Sequence, residues 1–81
     1  MPRRHLRMTE KDNVTTLIDT PDGDDGALVG GGPAQHGVPF GHKVALCAIA
    51  RGAPVIKYGV VIGHATADIA AGEHVHVHNL A

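Results

Sequence analysis

Near the end of the chain the stretch GEHVHVHNL sets His74, His76 and His78 at alternate positions, and GHK sets His42 beside Lys43. Imidazole titrates close to neutral pH and binds transition metals, so such residues can serve as metal ligands or proton carriers. On a β-strand, residues i, i+2 and i+4 share a face, which puts the three imidazoles on one side and Val75 and Val77 on the other. A straight strand rises about 3.4 Å per residue, so its outer two histidines stand about 14 Å apart. Metal–nitrogen bonds are about 2.0–2.1 Å, and one ion cannot take all three histidines unless the strand breaks. An H-x-H pair can converge on one ion with the remaining ligands from elsewhere. The plain alternative is three exposed imidazoles beside two buried valines, and spacing alone leaves both open.

His42 falls where a glycine-rich stretch meets a denser one, a junction from which a side chain can reach a ligand while the scaffold stays rigid. Lys43 beside it offers a compact cation for a carboxylate or phosphate, or is a surface lysine. Lys57 and Tyr58 in VIKYG, His64 and His36 are weaker candidates, and His5 belongs to the N-terminal end. Cys47, the one cysteine, sits in the apolar run VALCAI and reads as buried filler. The chain has no serine, which excludes a serine nucleophile, and Asp68 and Glu73 are its only acids after residue 25. No triad, zinc ribbon, P-loop or dinucleotide fingerprint is present. A site made from these residues needs groups from another polypeptide.

The elements that must position these side chains are short strands. Residues 42–81 break into HKVALCAIA, VIKYG, VVIGHA, DIAAG and HVHVHNL, each rich in Val, Ile or Ala and closed by Gly or Pro. Val14–Ile18 reads as a first strand. Between them, residues 19–41 hold seven of the 11 glycines and three of the five prolines, which predicts a long loop with a short extended piece at Ala27–Val29. Ile49-Ala50-Arg51-Gly52 is echoed 20 positions later by Ile69-Ala70-Ala71-Gly72, and glycine in fourth place suits a turn with positive φ. Two copies are too few for a solenoid, and they read as two equivalent corners of one small β structure. The fold class is mostly β.

Bulk properties narrow the function. At 81 residues with one Tyr, one Phe and no Trp, the core must be aliphatic and small, so a partner subunit or homo-oligomer is an expected support. A net charge of −1 argues against a nucleic-acid partner. The basic residues Arg3, Arg4 and Arg7 and the acidic Asp19, Asp22, Asp24 and Asp25 read as solvated surface. A single cysteine fits a reducing cytoplasm, and with no run of 18 apolar residues no membrane association is expected.

Taken together, GHKVAL, VIKYGVVIG and GEHVHVHN, in that order and spacing and with the Asp12-Asn13-Val14 start, resemble the small SAF-type domain of the altronate/galactarate dehydratase family. The small subunit of a sulfolactate sulfo-lyase belongs to the same group. The resemblance spans residues 10–81 and leaves 1–9 as a flexible N-terminal extension. It implies a β-clip fold of short strands with a long Gly/Pro-rich loop, acting as a small subunit beside a large dehydratase subunit. It implies a carbon–oxygen lyase that removes water from an acidic hydroxylated small molecule, or sulfite in the sulfo-lyase case; the alternative is a non-catalytic SAF module that holds an anionic ligand or a protein partner. A divalent metal is implied as well, commonly Fe2+ with Mn2+ or Mg2+ as alternatives, held on these residues by His76 and His78. His42 and His78 are then the catalytic candidates, and Lys43 and Asn79 the substrate-binding ones.

Overall fold

The computed structural model describes residues 1–81, and they form six short strands with no helix. These are β1 (His5–Leu6), β2 (Val14–Leu17), β3 (Lys43–Ala45), β4 (Pro54–Lys57), β5 (Val60–His64) and β6 (His74–Val75). Four of them make an antiparallel sheet in the order β1-β2-β3-β6, and β4 and β5 make a separate hairpin. The predicted mostly β class is therefore the observed one, and Lys43–Ala45 is the central junction of its larger sheet. DIAAG, expected as a strand, contributes only a single bridge through Ile69.

Two aliphatic clusters hold the fold. Leu17 and Val44 join Leu28, Ala34 and Val38 in one. The other consists of Val14 together with Ala45 and Ala65, Ile49 and Ile69, and Val55 and Val75. Those last six are three pairs, each 20 positions apart, so the sequence echo is an echo in space. Ile49 and Ile69 face each other and exchange two backbone hydrogen bonds of 2.8 Å. Gly52 donates its N–H to the Ala65 carbonyl, and Gly72 donates its own to the Ala45 carbonyl, at 2.7 Å each. Both glycines have positive φ, 85° and 82°, as the corner motif requires. The two copies are equivalent corners around one core.

The N-terminal segment departs from expectation. Residues 1–9 read as an extension outside the domain, yet β1 pairs with β2 (His5 opposite Leu17) and Arg3 is 1% exposed. The Arg3 guanidinium bonds Asp19 Oδ1 at 2.7 Å and the carbonyls of Val38 (2.8 Å) and Asp19 (2.9 Å), with Asp24 at 3.6 Å. Arg3, Asp19 and Asp24 are thus a buried pin and not the solvated charges expected, because the opposite signs of two distant runs become attraction only when the chain closes. His5 is likewise engaged, with one ring nitrogen on Thr15 Oγ1 (2.8 Å) and the other on the Val29 carbonyl (2.9 Å).

That pin organises the glycine-rich stretch. Ala27 bridges Pro33 across the triple glycine, Leu28 bridges Arg3, and Leu28, Ala34 and Val38 enter the core. The expected loop is thus a packed one. The radius of gyration is 11.5 Å, near the roughly 12 Å of a folded chain this long, so neither segment stands off the body. Cys47 corrects a further expectation: β3 ends at Ala45 and the chain bends, which leaves the thiol exposed.

The hairpin is tied to the larger sheet by Asp12 and Asn13. Asn13 accepts from the Ile56 N–H (2.7 Å) and donates to the Pro54 carbonyl (2.9 Å). Asp12 accepts from Thr9 Oγ1 (2.7 Å), Gly59 N (2.8 Å) and Met8 N (3.1 Å). Burial disfavours the Asp12 charge, but these donors outweigh it and hold the carboxyl well below the usual range. On β5, Val60, Val61 and Ile62 are exposed in succession. Neighbouring residues of a strand point to opposite faces, so both faces of β5 are uncovered there.

Candidate functional site

The strand carrying the histidines stops early. β6 ends at Val75, and residues 77–79 form a turn. Asn79 makes the turn: its side-chain oxygen accepts from His76 N (2.9 Å) and its amide donates to the His74 carbonyl (2.9 Å) and Glu73 Oε2 (3.3 Å). With 3% exposure and its amide so engaged, Asn79 clamps the backbone instead of facing a substrate. Val77, expected in the core beside Val75, is 82% exposed because it lies past the break.

The break decides which histidines meet. His76 is folded back across the start of β3, where its ring stacks on His42 with centroids 4.4 Å apart. His74, held opposite Val44 by the β3–β6 register, brings Nε2 to 3.0 Å from His42 Nδ1. The ligand atoms of His42, His74 and His76 all lie within 4.8 Å of one another. His78, expected beside His76 as a ligand, is exposed, and its ring centroid is 5.4 Å from that of His74. The convergent set is therefore His42, His74 and His76.

Each ring has a backbone support. His42 sits at the end of a turn in which its N–H donates to the Pro39 carbonyl (3.1 Å) and its carbonyl accepts from Leu17 N (2.8 Å). His74 N donates to Gln35 Oε1 (3.0 Å), so the glycine-rich stretch reaches the site. That stretch can approach only because Gly72 has no side chain; a Cβ there would lie 2.7 Å from the Pro33 carbonyl. His74 is held below the usual imidazole range by burial first, then by the neighbouring His42, His78, His76 and Lys43. His76 is lowered in the same way, by burial and then by His42, Lys43 and His78. His74 and His76, both biased toward the neutral imidazole, are thereby prepared to ligate.

The donor set can be tested against the expected divalent ion. Two nitrogens about 2.1 Å from one ion and at right angles are about 3 Å apart, and His42 and His74 already meet that spacing at 3.0 Å. Three imidazoles suit iron far better than magnesium, and better than manganese, since both of those favour oxygen. The residues fit an ion of the former kind. They do not enclose it: His42, His74 and His76 are each only half-buried and His78 beside them is exposed, so the cluster lies on an open face.

Lys43 borders the cluster. It is half-buried, and its ammonium is held below the usual range by burial and by Lys57. Sequence reasoning selects His42, Lys43 and His76 and misses His74. The available signal is Asn79 three residues after His76, the spacing of a side chain that caps a tight turn and ends a strand.

These features define a class: a small helix-free β domain that carries three imidazoles and a lysine on one open face. Residues 3–81 match the altronate/galactarate dehydratase SAF domain, and the chain belongs to that family. The match reaches back through Arg3 and β1, beyond the boundary expected at residue 10. Over 45 residues (56% of this chain) it is 64% identical to an altronate dehydratase of Escherichia coli (strain K12), of which that stretch is 9%. It is 56% identical over 39 residues to an altronate dehydratase of Bacillus subtilis (strain 168), covering 48% of this chain and 8% of that protein. Against a (2R)-sulfolactate sulfo-lyase subunit alpha of Paracoccus pantotrophus it is 45% identical over 62 residues, 76% of this chain and 87% of that subunit. The chain thus spans under a tenth of the altronate dehydratases it matches and most of the sulfo-lyase subunit. No helix is long and apolar enough to cross a membrane.

Proposed function

We propose that this chain is the small subunit or domain of a metal-dependent carbon–oxygen lyase of the altronate/galactarate dehydratase kind. It eliminates water from a sugar acid at a site completed by a large polypeptide. The observation that carries the reading is the meeting of His42, His74 and His76 on one face of a domain whose relatives include altronate dehydratases. Those three residues would hold the divalent ion, Fe2+ or Mn2+. When bound, such an ion polarises the oxygens of an acidic substrate and stabilises charge developing next to the carboxylate.

The remaining groups divide the other tasks. Elimination requires removal of the proton α to a carboxylate and departure of the β-hydroxyl. His78 is exposed beside His74 and is the histidine left to carry a proton. Lys43 draws the substrate carboxylate to the rim of the cluster. The face is open, and acids are scarce after residue 25, so a second polypeptide must exclude water and supply further oxygens. The uncovered β5, with Val60, Val61 and Ile62, supports the same need for a covering partner. A lone exposed thiol is in keeping with a reducing cytoplasm.

Coexpression with the large polypeptide, followed by assay of 2-keto acid formed from altronate, tests the reading. Activity is expected only when both chains are present; no keto acid from the pair would overturn the lyase reading, and unchanged activity in a His42→Ala/His74→Ala variant would overturn the histidine site. A second reading, elimination of sulfite from sulfolactate, is favoured by the 87% coverage of the sulfo-lyase subunit. Release of sulfite by the same preparation distinguishes the two.

A further inference from the structure

The turn of the β4–β5 hairpin carries the one non-glycine residue at positive φ, Tyr58 at 55°. Two-residue hairpin turns of this kind favour Asn-Gly or Asp-Gly, and a bulky residue in the left-handed region is disfavoured by the crowding of its Cβ. Here Tyr58 precedes Gly59 (φ 75°), so a strained position is spent on an aromatic side chain that is 42% exposed. Strain of that sort points toward function.

The surroundings of Tyr58 show which function. Its hydroxyl lies 3.4 Å from Thr16 Oγ1, too far for a strong O–H···O bond, so both hydroxyls keep capacity for another oxygen. Thr16 is the cross-strand partner of Lys43. Lys57 sets its Nζ 4.9 Å from the centre of the Tyr58 ring, so it extends the row that runs from Lys43 through Thr16 to Tyr58. Neither lysine is paired with a carboxylate; the ion pairs of the chain involve Met1, Arg3 and His36. Two ammonium groups that flank the same pair of hydroxyls without an acid gain by sharing an anion.

We propose that Thr16, Lys43, Lys57 and Tyr58 form an anion subsite that takes the terminal carboxylate or sulfonate of the substrate and leads it to the histidine cluster. Lys43 belongs to both places, since it directly follows His42 and stands opposite Thr16 on one side and Val75, between His74 and His76, on the other. The hairpin therefore does more than close a sheet: it delivers Lys57 and Tyr58 as specificity residues. The substrate class rests on the lyase reading above; the anion subsite itself rests on the hairpin geometry.

The test is a titration of the 81-residue chain with sodium D-altronate and, separately, with (2R)-sulfolactate, against sodium chloride at matched ionic strength. The amide signals of Thr16, Lys43 and Lys57 are followed by NMR. Saturable shifts with either acid are expected, the tighter of the two naming the headgroup. Lys57→Gln should weaken the binding about tenfold, as loss of one charge-assisted contact does, whereas Lys57→Arg should retain it within a few-fold. Tyr58→Phe, which keeps the ring and the turn, should weaken it by a smaller factor. No saturation, equal shifts with chloride, or unchanged affinity in both Lys57→Gln and Tyr58→Phe overturns the subsite. If the subsite fails while the assembled enzyme still forms keto acid, only this inference falls. If altronate binds as described but the coexpressed chains form no 2-keto acid, only the lyase reading falls.

Discussion

His42 Nδ1 lies 3.0 Å from His74 Nε2, although the two residues are 32 positions apart and neither spacing nor motif pairs them. As neutral rings, one donates to the other; around a divalent ion the same separation suits two neighbouring ligands. His76 completes the set from just past the end of β6. A distinction follows between this trio and the His76/His78 pair that alternation alone suggests. Binding of Fe2+ or Mn2+ to the full chain, followed by calorimetry under anaerobic conditions, should weaken at least tenfold in His74→Ala and His42→Ala. His78→Ala should leave it nearly unchanged. Loss of binding in His78→Ala with retention in His74→Ala would restore the sequence-based pair.

Arg3 should be worth more than its place near the N-terminus suggests. Arg3→Met leaves the Asp19 and Asp24 carboxylates facing a buried apolar side chain, and breaking a buried pair by removing one partner costs about 3–5 kcal/mol. Urea unfolding should show that loss, and faster amide exchange should be concentrated in residues 19–41. A variant as stable as the parent would mean that the pin is dispensable.

The two corner glycines offer a matched comparison. Gly52→Ala meets no atom within 4 Å and should cost only the left-handed backbone penalty, about 1–2 kcal/mol. Gly72→Ala carries the same penalty and also drives a Cβ into the Pro33 backbone at 2.7 Å. That clash should add about 1–3 kcal/mol and displace Gln35 from His74. Thermal melts of the two variants measure the difference, which equal melting temperatures would contradict.

Asp12 sets an acid limit. Its folded pKa is depressed below the unfolded value, so its stabilisation is fully present above the unfolded pKa near 4 and is lost as pH falls further. Asp19 and Asp24 are depressed too and act in the same direction. Urea midpoints should be level between pH 7 and pH 5 with respect to these groups and fall below pH 4. Asp12→Asn should lower the midpoint at pH 7 and flatten the fall at acid pH, and an unaltered acid slope would remove Asp12 from this role.

Much of the fold is legible along the chain itself. The run of short Val- and Ile-rich segments between glycines and prolines is too brief for helices and reads as strands, and it can bury only small aliphatic clusters. The twin I-A-x-G corners are legible because a positive-φ turn needs glycine at one place, and Gly52 and Gly72 stand there. His42 and Lys43 are legible because a junction between loop and strand is a natural place for chemistry. Those features depend on local backbone preference and side-chain type, which a single chain displays along its length.

What tertiary structure decided was where distant parts meet. Alternation at His74, His76 and His78 describes a straight strand, but Asn79 bends the chain after Val75, and this substitutes His42 for His78 in the cluster. Arg3 and Asp19 are ordinary surface charges in sequence and a buried pair once β1 joins β2. Lys57 and Tyr58 reach Lys43 and Thr16 only through the way Asp12 and Asn13 tie the hairpin to β2. Local periodicity is written in neighbours along the chain. Convergence depends on long-range hydrogen bonds and packing, whose partners cannot be named until the chain has closed.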